Sequence, residues 1–148
     1  MAQILRDAPI SMTMGESKWG TEAAAGAKCV LVADDNQLNR RVAAAMLERL
    51  GYRSEACSNG REAVAACLER TYCAVLMDGW MPEMDGLEAS REIRRRERGR
   101  RTPIIAFTAS VRSEDRSRCL EAGMDDFLVK PTTIDSLGAA LERWARED

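Results

Sequence analysis

The sequence predicts an α/β protein: a five-stranded parallel sheet with five helices distributed over its two faces. Three observations point there. Short apolar runs alternate five times with stretches of helical periodicity; those runs are nearly continuous in apolar character, as strands covered on both faces require; and 148 residues at 45% apolar and 31% charged suit one packed, soluble domain. Right-handed crossovers then place helices on both faces, making the sheet doubly wound.

The elements follow in order. Cys29-Val30-Leu31-Val32-Ala33 reads as a first buried strand. Leu38, Val42, Met46 and Leu50 then recur every four residues, giving a helix with that row inward and Gly51 as its stop. The stretch from Tyr52 to Cys57 supplies a second strand, and Arg61 to Arg70 a second helix with Ala63, Val64, Cys67 and Leu68 inward. Tyr72 to Met77 is the third apolar run; after a Met81-Pro82 turn, Leu87 to Arg98 is helical. Pro103 to Phe107 and Phe127 to Val129 are the fourth and fifth runs, with helices expected over Ser113 to Glu121 and Ile134 to Ala145. Residues 1–27, with scattered Pro9, Gly15, Gly20 and Gly26, read as a flexible tail or linker preceding a domain over 28–148.

Composition removes several function classes. A formal charge of -2 with mixed signs gives no broad footprint for a nucleic-acid backbone. The chain has no histidine, so it cannot be a phosphohistidine donor, a His-based triad enzyme or a His-ligated metalloenzyme. Cys29, Cys57, Cys67, Cys73 and Cys119 are odd in number and lack a CxxC pair; they read as reduced thiols in apolar segments, fitting a cytoplasmic protein. No apolar run approaches the roughly 20 residues that span a bilayer.

In a parallel sheet of this kind, sites form beyond the carboxyl ends of the strands. Asp34 and Asp35 follow the first strand, Asp78 the third and Lys130 the fifth, and Thr108 closes the fourth. Gathered at one edge, three carboxylates would repel unless a cation intervened. Oxygen ligands of this type suit Mg²⁺, with Mn²⁺ as a substitute, whereas zinc or copper would want sulfur or imidazole. A carboxylate beside such an ion can attack phosphorus, with Lys130 and the Thr108 hydroxyl meeting the phosphoryl charge. Each residue alone has a plainer reading: helix capping for Asp34-Asp35-Asn36, a turn for Asp78-Gly79, a backbone-bonded hydroxyl for Thr108 and a solvated charge for Lys130. Four strand ends carrying compatible chemistry argue for the joint one.

The segments VLVADDNQLNR at 30–40, VLMDGWMPEMDGLEA at 75–89, PIIAFTAS at 103–110 and EAGMDDFLVKP at 121–131 together resemble the receiver domain of two-component signalling, over about Lys28 to Trp144. The wording is most similar to receivers of hybrid histidine kinases and phosphorelays. The resemblance implies a flavodoxin-like (βα)5 fold, Asp78 as phosphoacceptor, and Asp34, Asp35, Asp78 and the Trp80 backbone carbonyl as metal ligands. It further implies Thr108 and Phe127 as the switch pair, Lys130 as the phosphate-binding lysine, and a histidine kinase or histidine phosphotransfer domain as donor. A homodimer or contacts with parent kinase domains would be its outputs. Trp80 and Ser110 depart from the commoner pattern and are assigned to tuning the phosphoryl lifetime, with packing on neighbours such as Met81 or Met84, or a partner interface, as the alternative for Trp80.

Phosphoacceptance is thus the expected function. A receiver-like interaction domain that signals by binding alone is the alternative. A phosphohydrolase is a third reading, opposed by Trp80, which stands where such enzymes place a second acid. The Lys130-Pro131 bond is a candidate cis peptide, because X-Pro lowers the trans preference to about 0.5–1 kcal/mol.

Overall fold

The computed structural model describes residues 28–109 and 112–145. The tail assigned to 1–27, and Ser110, lie outside the described residues. Ten elements alternate: β1 (Cys29–Ala33), α1 (Gln37–Arg49), β2 (Arg53–Cys57), α2 (Gly60–Glu69), β3 (Ala74–Met77), α3 (Gly86–Arg96), β4 (Ile104–Thr108), α4 (Ser113–Glu121), β5 (Asp126–Val129) and α5 (Ile134–Trp144). The strands form one parallel sheet in the order β2-β1-β3-β4-β5, so the expected architecture is the observed one.

Side chains alternate across the sheet and divide the core into two layers. On one face Leu31, Ala33, Val75, Met77, Ile104 and Ala106 pack with Ala63 and Val64 of α2, Ile93 of α3 and Cys119 of α4. On the other, Val30, Val32, Leu76, Ile105 and Phe107 pack with Ala43 and Leu47 of α1 and Leu137 and Leu141 of α5. The five cysteines are free thiols, and burial pushes Cys29 and Cys67 up to about 12 and Cys73 up to about 11, which keeps them protonated.

Two expectations about helix faces are corrected. In α1 the buried residues are Ala43 and Leu47, while Leu38 is 68% and Val42 47% exposed. A four-residue repeat drifts about 40° per step around a helix of 3.6 residues per turn, so the row that is half-buried at Met46 and Leu50 winds outward by Leu38. In α2 the inward set is Ala63, Val64 and Ala66, with Cys67 half-buried and Leu68 exposed.

The boundaries shift by a few residues. Tyr72 and Cys73 precede β3, and Pro103 precedes β4 although its carbonyl accepts from Val75 N at 2.9 Å. The edge strand β2 buries a charge: Glu55 accepts from Tyr72 OH at 2.6 Å and pairs with Arg70 at 3.3 Å, which supplies the compensation that a buried carboxylate requires. The Lys130-Pro131 peptide is cis, as expected.

One side chain fastens the far end of α3. Arg94 donates to the Gly123 carbonyl (2.8 Å), the Thr102 carbonyl (2.8 Å), Glu97 (3.0 Å) and the buried carboxylate of Asp125 (2.8 Å). Asp125 also accepts from Ile104 N at 2.9 Å and from the exposed Arg101 at 2.7 Å. Removing Arg94 takes one donor from each of these four acceptors and leaves Asp125 with only the exposed Arg101 as a cationic partner. We expect Arg94→Ala to cost about 3 kcal/mol, as breaking a buried ion pair does. Arg101→Ala should cost under about 1 kcal/mol. Urea unfolding of the two variants checks the contrast.

Candidate active site at the carboxyl ends of the strands

Register builds the site. Ala33 pairs with Met77 across β1 and β3, so the next residues, Asp34 and Asp78, emerge side by side. Asp78 N donates to the Ala33 carbonyl at 2.9 Å, and Asp34 N to the Cys57 carbonyl at 3.1 Å. Carboxylate oxygens of Asp34, Asp35 and Asp78 all lie within 4.8 Å of one another, with Asp34 and Asp78 buried and Asp35 exposed. Helix capping falls instead to Asn36, whose side chain accepts from Asn39 N at 3.0 Å, and Asp34 and Asp35 remain available for the cluster.

Lys130 enters from the other side. Thr108 is in register with Val129, and Lys130 N donates to the Thr108 carbonyl at 2.8 Å. The side chain then passes the Phe107 ring, 5.5 Å from its centroid, and reaches Asp34 at 2.7 Å and Asp78 at 3.4 Å. One lysine thus faces three carboxylates, which leaves an oxygen-lined cleft with excess negative charge. That donor set fits a hard divalent cation and offers neither thiolate nor imidazole.

The loop after β3 is shaped around Asp78. Trp80 N donates to Asp78 Oδ1 at 3.2 Å, while the Trp80 residue remains 41% exposed. Gly86 N donates to the Gly79 carbonyl at 3.0 Å, and a Cβ on Gly86 would collide with the Asp78 carbonyl. Glu83 sits at φ 67°, a left-handed turn unusual for a residue with a side chain. Burial pushes the Asp78 carboxyl up from its ordinary value, opposed by Lys130 and the Trp80 N–H, while the Asp34 charge pushes it further up.

Thr108, 3% exposed, closes β4 on the face that also carries Phe127, whose register partner Ala106 is two residues upstream. Arg116 of α4 lies over the Phe127 ring at 4.8 Å from its centroid.

Sequence reasoning missed three residues and a groove. Asn39 donates to Asp34 Oδ1 at 3.5 Å and Arg40 to the Asp34 carbonyl at 2.7 Å, both from the first turn of α1. Gly86, where α3 starts one residue before the expected Leu87, was not singled out. The groove, of about 370 Å³, lies beside Lys130 and is lined by Leu38, Val42, Met46, Pro131 and Thr132 among others. Its signal was present as the apolar row on α1, which was read as core.

The sequence profile of the response regulator receiver domain matches residues 30–142. Hybrid signal transduction protein dokA of Dictyostelium discoideum is 41% identical over 122 residues, covering 82% of this chain and 7% of dokA. Sensor histidine kinase RcsC of Escherichia coli is 38% identical over 116 residues, covering 78% of this chain and 12% of RcsC. The chain therefore spans about a tenth of the length of these curated relatives. The crystal structure of the receiver domain of sensor histidine kinase PA1611 from Pseudomonas aeruginosa, which has a magnesium ion coordinated in its active-site cleft, superposes with a TM-score of 0.76 at 44% identity, covering 81% of this chain and 98% of that one. The Asp34-Asp35-Asp78 cluster is analogous to that magnesium site. The receiver of Saccharomyces cerevisiae Ssk1, solved with the histidine phosphotransfer protein Ypd1, gives 0.74 at 27% identity, covering 80% and 89%. Among the described residues no helix is long and apolar enough to cross a membrane.

The raised Asp78 carboxyl has a stability consequence. Its proton is held more tightly in the folded than in the unfolded chain, so its contribution is fully favourable below the unfolded value of about 3.8 and is lost as pH rises through the folded value. In EDTA-containing buffer, Asp78→Asn should therefore melt higher than the parent at pH 7. The gap should close below about pH 3.8, as thermal melts across that range would show.

Proposed function

This chain belongs to the response regulator receiver domain family, and on that premise we propose that Asp78 accepts a phosphoryl group from a phosphohistidine of a histidine kinase or histidine phosphotransfer domain. The observation that carries the reading is the meeting of Asp34, Asp35, Asp78 and Lys130 in one cleft at the carboxyl ends of β1, β3 and β5. A carboxylate oxygen of Asp78 attacks phosphorus in line, the P–N bond to the donor imidazole breaks, and an acyl phosphate forms. Asp34, Asp35, Asp78 and the Trp80 backbone carbonyl are the residues that would hold Mg²⁺, which when bound neutralises phosphoryl charge. Lys130 leaves its carboxylate partners for a phosphoryl oxygen, and the Thr108 hydroxyl donates to another.

The domain responsible is taken as residues 28–148, with 1–27 as a tail or linker. The groove beside Lys130 gives the donor a seat: its apolar wall of Leu38, Val42 and Met46 suits a partner helix, a mode of recognition that needs spaced apolar contacts. Retention of five free thiols fits a reducing, cytoplasmic setting. For output, Thr108 drawn toward the phosphoryl group vacates space on the sheet face it shares with Phe127. Inward movement of that ring would then shift α4 and the α4–α5 surface, through which the chain would pair with a second copy or with parent kinase domains. Trp80 and Ser110 set the lifetime: the Trp80 indole N–H donates but cannot accept a proton from an attacking water.

Incubation with acetyl phosphate and Mg²⁺ should add one phosphoryl mass to the intact chain, and Asp78→Ala should abolish the gain. No gain with any metal would instead favour an interaction domain that signals by binding alone. Val42→Glu should slow transfer from a phosphorylated histidine phosphotransfer domain at least tenfold, a loss of about 1.4 kcal/mol or more, while leaving acetyl phosphate labelling unchanged. Trp80→Asn and Trp80→Ala should both shorten the aspartyl-phosphate half-life; unchanged decay in both would remove Trp80 as a brake.

A further inference from the structure

The strongest charge asymmetry in the chain lies away from the aspartate cluster. Residues 91–101 hold seven arginines and two glutamates, a net of five positive charges in a chain whose overall charge is -2. This segment forms the end of α3 and the connection into β4. Together with the end of α2 it encloses a cleft of about 300 Å³ at the amino-terminal edge of the sheet, opposite the carboxyl-end site. Arg70, Arg96, Arg98 and Arg100 line it, and Leu68, 42% exposed, stands among them.

We propose that this cleft docks an acidic segment of a partner protein that inserts an apolar side chain against Leu68. Guanidinium groups match carboxylates in planar, bidentate fashion, and arginine around an apolar centre is the composition of an energetic interface patch. Arg70 is tethered to Glu55 at 3.3 Å and Arg96 to Glu92 at 3.2 Å, so both guanidiniums are positioned. Glu97 in the lining is turned to Arg94 and Thr102 N. Glu69, also in the lining and exposed, opposes a continuous phosphate backbone but leaves room for separate carboxylates. Aromatic side chains, on which nucleobases would stack, do not line this cleft. Its distance from the aspartate cluster along the strands lets an acidic partner and a phosphoryl donor bind together.

The test is fluorescence anisotropy of the full chain with a labelled peptide, Glu-Glu-Leu-Glu-Asp-Leu-Glu-Glu, against an all-lysine-substituted peptide and a single-stranded oligothymidine. We expect saturable binding of the acidic peptide only, weakening with salt, reduced at least tenfold by Arg96→Glu with Arg98→Glu, and reduced several-fold by Leu68→Ser. Acetyl phosphate labelling of the variants should match the parent, which separates this site from the phosphoacceptor. If the double variant unfolds, Arg98→Glu and Leu68→Ser decide. Absence of peptide binding, binding unchanged in the variants, or displacement of the peptide by the oligonucleotide would overturn the proposal.

Discussion

Three carboxylates with oxygens within 4.8 Å of one another, two of them buried, repel, and the protein keeps them together through the parallel register of β1 and β3. The pairing of Ala33 with Met77 is fixed by the apolar layers on both faces, since a slip of one residue would move every strand side chain out of its own layer and into the opposite one. Core packing thereby holds Asp34 beside Asp78. Burial raises the Asp78 carboxyl, the Asp34 charge adds to the rise, and Lys130 only partly offsets it.

The same constraint organises the surroundings. Lys130 can reach both aspartates because Val129 pairs with Thr108, two strands away from β1. Asn36, Asn39 and Arg40 fix the Asp34 turn, while Gly86 allows the β3–α3 loop to close over the Asp78 carbonyl. At the opposite edge, Arg94 ties α3 to the segments entering β4 and β5. The sheet is thus fastened at the edge opposite the aspartate cluster.

Strands were legible because β1, β3 and β4 are short apolar runs, and the polar residues at their ends could be placed by the rule that parallel sheets gather such ends. Asp34, Asp35, Asp78 and Lys130 needed only chain order to be brought together. Faces of helices were harder. The row Leu38, Val42, Met46 looked like core because a four-residue repeat resembles helical period, yet its slow drift carries one end to the surface, where it walls the groove beside Lys130. Leu68 misled in the same way. The roles of Gly86 and Arg94 depend on long-range contacts, with the Asp78 carbonyl and with Asp125, that no local pattern encodes.

The chemistry proposed for this cleft turns on which carboxylate carries the acyl phosphate. Borohydride reduction of the chain after brief exposure to acetyl phosphate and Mg²⁺, followed by peptide mass mapping, converts a phosphorylated aspartate to homoserine and marks its position. Homoserine is expected at position 78 alone; homoserine at position 34 or 35 with Asp78 intact would contradict Asp78 as the acceptor.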